Sequence, residues 1–342
     1  MKIRNIGVVI VFFLTLFSCK EKEFKYSKFG GFVQGTTYSI VYQDNGKVKV
    51  DNIKTEVEKL LADFDLSLSI YNDSSVLSEI NRNEEVTVDS FFTEAFRISQ
   101  KISEQTDGAF DITVAPLVRA WGFGPEAKRD FNEAKRDSLL ALIGMGKIYI
   151  KNNHLVKSDP RISLDFNAIA QGFSVDIVSR YLISRGLKEF LVEIGGEVRV
   201  KGDKGGKMWK IGIDQPFDNN INPGNNLQAI ISLKDISLAT SGNYRKFYIE
   251  NGIKYSHTID QKTGHPAMSK LLSATIIAKE CAVADAVATA CMVMGTDKAK
   301  EFISLHSEYE AYLIFSDDSG NFQTWSTEKV KKLIEDSSTD PQ

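Results

Sequence analysis

Phe190-Leu191-Val192-Glu193-Ile194-Gly195-Gly196-Glu197-Val198-Arg199-Val200 sets two short apolar, β-branched runs on either side of a glycine pair. The same pattern, broken by Gly, Asn and Pro, continues from Phe190 to Ala278, and it is the signature of antiparallel strands and turns. Upstream, apolar residues recur with the helical period instead. Ile53, Val57, Leu60, Leu61 and Phe64 make one helix, and Phe92, Phe96, Ser99 and Ile102 line a second over Asp89 to Gln105. A third runs from Asn132 to Ile143, and a fourth from Ala168 to Arg185 carries Ile169, Phe173, Ile177 and Tyr181 before stopping at Gly186. Helices grouped at one end and strands at the other predict an α+β fold, a mostly antiparallel sheet with packed helices, rather than a doubly wound parallel sheet.

Smaller elements complete the plan. Phe32 to Tyr42 alternates as a strand, and Ile148–Ile150 and Leu155–Val156 flank Asn152-Asn153 as a hairpin. Arg161 to Leu164 reads as a short strand. Past the sheet, Ala282–Met294 and Asp297–His306 form a helix pair, followed by strands near Tyr312 and Phe322 and a last helix from Thr327 to Ile334. The 342 residues, of ordinary composition, are enough for one large domain or two intimately packed lobes. With 42 Lys plus Arg against 45 Asp plus Glu, the net charge of -3 gives no basic footprint for nucleic acid.

The first residues read as a targeting segment. Lys2 and Arg4 precede the apolar run Ile6 to Phe17, which is shorter than the roughly 20 residues a membrane-spanning helix needs. Leu16-Phe17-Ser18-Cys19 resembles the bacterial lipobox, which implies cleavage before Cys19 and acylation of its thiol; the alternative is an uncleaved anchor helix. Either reading places the rest of the chain outside the cytoplasm. The expected organisation is a signal peptide over 1–18, a charged tether over 19–28, one domain over 29–335 and a polar tail over 336–342. Cys281 and Cys291 lie about 15 Å apart along the expected helix, too far for a disulfide, so both read as buried thiols.

Three clusters carry candidate chemistry. Asp165 and Asn167 stand just before the helix that contains Ala168, Ala170 and Gln171, so first-turn amides and the helix dipole would welcome a phosphate; capping of the helix by either residue is the plainer alternative. Asp285 and Thr289 share one face of an Ala- and Val-rich helix, where a carboxylate is costly unless a cation compensates it; two hard oxygens plus a carbonyl and substrate phosphates suit Mg²⁺. An Asp supporting the helix start beside a Thr bonded to its own backbone is the alternative there. His257, near the turn containing Asp260 and following Thr240-Ser241-Gly242, suits general-base work on a hydroxyl, or a structural hydrogen bond at a strand end. Gly35-Thr36-Thr37-Tyr38, Tyr71, Gly108 to Asp111 with Trp121, and Gly195-Gly196 add aromatic rings and close-approach glycines.

In order and spacing, this set resembles the ApbE family of FAD:protein FMN transferases. The likeness includes Gly35 to Tyr38, Tyr71, Gly108 to Pro116 with Trp121 to Gly124, Asp165 to Gly172, Gly195-Gly196, Thr240 to Tyr244, His257 to Gly264, and Ala284 to Ala286 with Thr289. It implies an α+β fold with FAD in a cleft between two lobes, splitting of the FAD pyrophosphate, and attachment of FMN to a Thr or Ser of another protein as AMP leaves. By position it puts flavin-nucleotide contacts on Gln34, Tyr71, Ala109, Phe110, Asp111, Asp165, Gln171 and Ile259. It puts Mg²⁺ on the Ala168 carbonyl, Asp285 and Thr289, and the activating histidine on His257. The implied partner is an acceptor subunit of a membrane or extracytoplasmic electron-transfer complex, met by a lipid-anchored enzyme in the cell envelope. This chain departs from the family's pattern at Gln34, where Met is frequent, at Gln171, where Lys or Glu is common, and at Gln261, where Pro is usual. The competing readings are a Mg²⁺-dependent FAD pyrophosphatase and a non-enzymatic, periplasmic flavin-binding lipoprotein.

Overall fold

The computed structural model describes residues 25–335 apart from 45, 47–49, 124–130, 218–219, 221–223, 245–246 and 251–252. The expected signal peptide, Cys19 and the polar tail lie outside the described residues. The described chain begins with strands β1 (Tyr26–Val33) and β2 (Thr36–Gln43), then helices α1 (Val50–Leu68), α2 (Val76–Asn81) and α3 (Ser90–Gln105). A 3-10 turn over Ile112–Val114 leads into α4 (Ala115–Ala120), followed by α5 (Glu133–Leu140), the hairpin β3 (Ile148–Lys151) and β4 (His154–Lys157), and the long helix α6 (Asn167–Ser184). Strands β5 (Phe190–Ile194), β6 (Glu197–Lys201), β7 (Trp209–Asp214), β8 (Leu227–Leu233), β9 (Ser237–Gly242), β10 (Phe247–Glu250), β11 (Ile253–Ser256) and β12 (Leu271–Ala278) come next. The helices α7 (Cys281–Met294) and α8 (Thr296–Leu305), the strands β13 (Glu310–Ser316) and β14 (Phe322–Ser326), and the one-turn helix α9 (Glu328–Lys331) close it.

Eight strands form one sheet in the order β1-β2-β5-β6-β9-β12-β13-β14, antiparallel at every pairing. On β2 and β5 the buried residues alternate, with Tyr38, Ile40 and Tyr42 beside Phe190, Val192 and Ile194, and this face packs on α1 and α6. The opposite face takes the β7–β8 hairpin and Val330 of α9, through Trp209, Ile211, Ile231 and Leu233. β12 is buried along nearly its whole length, as a strand covered on both faces must be. Helix α7, Cys-Ala-Val-Ala-Asp-Ala-Val-Ala-Thr-Ala-Cys-Met-Val-Met, is apolar apart from Asp285 and Thr289 and is interior. It lies against α6, β9 and β12. A smaller cluster of Leu117, Trp121, Ile143 and Ile259 ties α4 to the segment after β11.

The α+β expectation holds, with local corrections. Phe32 to Tyr42 is not one strand: Gln34 and Gly35, both at positive φ (52° and 71°), turn the chain into the β1–β2 hairpin. β1 starts at Tyr26, so residues 26–28 belong to the sheet rather than to a tether. Arg161 to Leu164 finds no strand partner; the Asn81 side chain stands in for one, donating to the Leu164 carbonyl at 2.9 Å and accepting its N–H at 2.7 Å. The last helix is one turn, Glu328–Lys331, rather than Thr327 to Ile334. Cys281 and Cys291 are both buried and unbridged.

Candidate active site

A cleft of about 420 Å³ opens between the sheet-and-helix body and the smaller Leu117–Trp121 cluster. Its floor is where α6 and α7 meet. Asp285, Thr289 and Val293 reach it from successive turns of α7, and Asn167, Ala168 and Gln171 from the first turns of α6. Asp285 is 6% exposed, and its carboxylate accepts the Gly172 N–H at 3.0 Å. Burial pushes this carboxyl from 3.8 up to about 7, with the Gly172 N–H working the other way. The Thr289 hydroxyl lies 3.1 Å from that of Ser241 at the end of β9. Gly172 is obligatory here: a Cβ would stand 2.5 Å from the Cys281 carbonyl oxygen and 2.8 Å from Asp285 Cβ.

The start of α6 is more self-contained than the sequence suggested. Asp165 Oδ1 accepts the Asn167 N–H at 2.7 Å, and the Ile169 and Ala170 N–H groups both go to the Phe166 carbonyl at 2.9 Å. The N-cap position is Phe166, which makes no side-chain cap, so of the two expected residues only Asp165, one position earlier, bonds a first-turn amide, and the expected open row of amides is largely taken. What the helix still offers an anion is the positive end of its dipole.

The walls come from separate pieces of chain. Gln34, at the tip of the β1–β2 hairpin, accepts from Ser174 on α6 at 3.2 Å. Tyr71, 66% exposed beyond α1, has its phenol pushed up first by partial burial and then by the Asp165 carboxylate. Phe110 and Asp111 enter the 3-10 turn. Asp111 Oδ1 accepts from the Thr113 N–H and hydroxyl at 2.7 and 2.6 Å, and Oδ2 from the Met145 N–H at 3.1 Å. Both carboxylate oxygens thus brace the wall, and burial still raises the group's pKa. Gly195, at φ 66°, lies against the Gln171 amide, which a Cβ would strike at 2.8 Å.

His257, Ile259 and Gln261 line the remaining side. The His257 ring meets Phe123 edge-on, with centroids 6.4 Å apart. Trp121 supports this segment by donating to the Gly264 carbonyl at 2.7 Å and stacking on Tyr255. The Asp260 carboxylate caps its own turn, accepting from the Lys262 N–H at 2.8 Å and the Thr263 hydroxyl at 3.1 Å.

Residues far apart in sequence therefore converge: Gln34, Tyr71, Phe110, Asp111, Asp165, Ala168, Gln171, His257, Ile259, Asp285 and Thr289 all border one cleft. Ala109 is the exception. Its methyl packs in the core cluster one residue behind Phe110. Sequence reasoning missed the apolar lining from Ile112, Val114, Val118 and Val293: the 3-10 turn and six-residue α4 are too short to show periodicity, and Val293 is one of many apolar residues on α7. A pocket of about 290 Å³ adjoins the cleft and shares Asp165 and Val118 with it.

The donor set fits a hard cation. No group of three or more His, Cys, Asp or Glu able to hold a metal occurs among the described residues. The carboxylate of Asp285, the hydroxyl of Thr289 and the nearby start of α6 at Ala168 instead offer a few hard oxygens, a set that Mg²⁺ would complete with water and phosphate.

Fold and cleft together define an α+β protein with a helix-floored, oxygen-lined ligand cleft. The ApbE family model matches residues 34–313, and the chain belongs to the ApbE family. It is 35% identical to the FAD:protein FMN transferase of Haemophilus influenzae, over 96% of this chain and 97% of that one. It is 33% identical to the Vibrio cholerae protein of that name, over 97% and 99%. Among solved structures it resembles the flavin transferase ApbE from Vibrio cholerae (TM-score 0.81, 33% identity, 91% of this chain and 100% of that one). It also resembles the apo flavinyl transferase ApbE from Pseudomonas stutzeri (TM-score 0.82, 31% identity, 91% and 97%).

Proposed function

We propose that this chain is a metal-dependent FAD:protein FMN transferase. The observation that carries the reading is the cleft floor, where a desolvated Asp285 and the Thr289 hydroxyl face the same space as the start of α6 and His257. FAD is the substrate. The positive end of α6 attracts its pyrophosphate, while Tyr71, Phe110 and Ile259 offer flat or apolar surface to its rings. Gln34 and Gln171, which meet at the Ser174 hydroxyl, supply amide donors and acceptors to the cleft.

In the reaction, the hydroxyl oxygen of an acceptor Thr or Ser forms a bond to the FMN phosphorus. The bridging P–O bond breaks, its electron pair leaves with AMP, and His257 takes the hydroxyl proton on a ring nitrogen before releasing it to solvent. A divalent cation held by the Ala168 carbonyl, Asp285 and Thr289 supplies neutralisation of charge on the phosphate oxygens when bound. The chain's own contribution is mainly position, because little covalent chemistry is asked of the protein in phosphoryl transfer. An acylated Cys19 would hold the enzyme on the extracytoplasmic side of a membrane, near an acceptor subunit of an electron-transfer complex.

The test is product analysis. Incubation with FAD, Mg²⁺ and a candidate acceptor gives, on this reading, an acceptor heavier by one FMN less water and one AMP per label. AMP and unattached FMN beside an unlabelled acceptor would instead establish hydrolysis.

A further inference from the structure

The proposed metal donors are divided between two helices, Ala168 on α6 and Asp285 with Thr289 on α7, so the register between these helices sets the shape of the shell. Two reciprocal contacts fix it. The Gly172 N–H of α6 donates to the Asp285 carboxylate of α7 at 3.0 Å. One turn further along α6, the direction reverses: Asp176 Oδ2 accepts the Ala282 N–H of α7 at 2.9 Å. The residue preceding α7, Glu280, makes no side-chain cap of its own. Asp176 is thus the N-terminal cap of α7, supplied from another helix 106 residues away in sequence. Its other oxygen meets Arg199 Nη1 of β6 at 2.5 Å, which compensates a carboxylate only 1% exposed.

We propose that Asp176, held by Arg199, is a positioning residue for the metal site: it locks the start of α7 to α6 so that Asp285 and Thr289 face the Ala168 carbonyl. The inference rests on the metal-dependent reading above. Asp176 touches neither substrate nor metal; it acts through the axial position and rotation of α7. Outer partners that orient metal ligands are commonly worth about 10–100-fold in metal affinity.

The test measures Mn²⁺ binding to the full chain by loss of the free-ion electron paramagnetic resonance signal, with and without FAD, beside urea unfolding in the absence of metal. Asp176→Asn, nearly isosteric, is expected to weaken Mn²⁺ binding roughly tenfold or more. Arg199→Met, which leaves the Asp176 charge uncompensated, is expected to weaken it in the same direction and serves if the first variant does not fold. Val330→Ala, a core truncation on the far face of the sheet, is expected to lower the urea midpoint while leaving Mn²⁺ affinity unchanged. Wild-type Mn²⁺ affinity in Asp176→Asn, or an equal loss in Val330→Ala, would overturn the positioning role. A wild-type chain that binds no Mn²⁺ even with FAD would remove the metal reading itself, and this inference with it.

Discussion

Gly172→Ala tests the junction between α6 and α7. A methyl at residue 172 would stand 2.5 Å from the Cys281 carbonyl oxygen and 2.8 Å from Asp285 Cβ, against backbone and a β-carbon that no rotamer change can move aside. The helices must therefore part locally by roughly 1 Å to restore ordinary contact. Overpacking of this kind costs about 1–3 kcal/mol. Losing the Gly172 N–H bond to a buried carboxylate adds about 1.5–3 kcal/mol, and replacing a helical glycine by alanine returns about 1 kcal/mol. The net loss is about 1.5–5 kcal/mol, or a melting temperature lower by about 2–7 °C for a chain of this size. The same displacement moves Asp285 from the Ala168 carbonyl, so the Mg²⁺ concentration for half-maximal FAD turnover should rise as well. Thermal unfolding and a Mg²⁺ titration of AMP release measure both. A variant that melts and titrates like the wild type would refute the close-packed junction.

Asp285→Ala should abolish Mg²⁺-dependent AMP release while unfolding stays cooperative, since it also relieves a buried carboxylate; undiminished turnover would remove Asp285 from the metal shell. His257→Ala should retain FAD binding, measured by fluorescence, and lose transfer to the acceptor, and normal transfer would dismiss it as the base. The pH dependence of stability has a defined sign. Asp285 is raised in the folded state from 3.8 to about 7, so between those values the metal-free native protein keeps a proton that the unfolded chain releases. Its contribution is fully present below about pH 4 and is lost as pH rises through about 7, with a ceiling of about 4 kcal/mol at about 1.4 kcal/mol per unit. A cation that takes the ionised carboxylate offsets that loss, so Mg²⁺ should raise the melting temperature more at pH 8 than at pH 5.5. Equal shifts at both pH values would contradict the assignment.

Much of the frame was legible because long elements repeat their pattern. The apolar faces of α1 and α3, the Asn152-Asn153 hairpin and the largely apolar α7 each announced themselves through composition, periodicity or turn chemistry. The β1–β2 turn did not, because its first residue is Gln34, at φ 52°, where an Asn-Gly pair would have been the recognisable signal. α2 and α4 are six residues each, too short for a helical period to show. At the site, residue types pointed to the right places, yet the bonding at the start of α6 was not readable: whether amides stay open depends on the Phe166 carbonyl and the Asp165 rotamer. Long-range partnerships were equally hidden. Asp176 lies in the middle of α6 in sequence, and its place at the start of α7 exists only once the helices pack.

The central claim is that an oxygen shell shared by α6 and α7 receives the FAD pyrophosphate together with a dication. The most direct measurement is anomalous diffraction from crystals of the chain soaked with FAD and Mn²⁺. The account predicts one peak bounded by the Ala168 carbonyl, Asp285 and Thr289, touching the dinucleotide's phosphates within the 420 Å³ cleft. A peak elsewhere, or a dinucleotide seated away from α7, would contradict it.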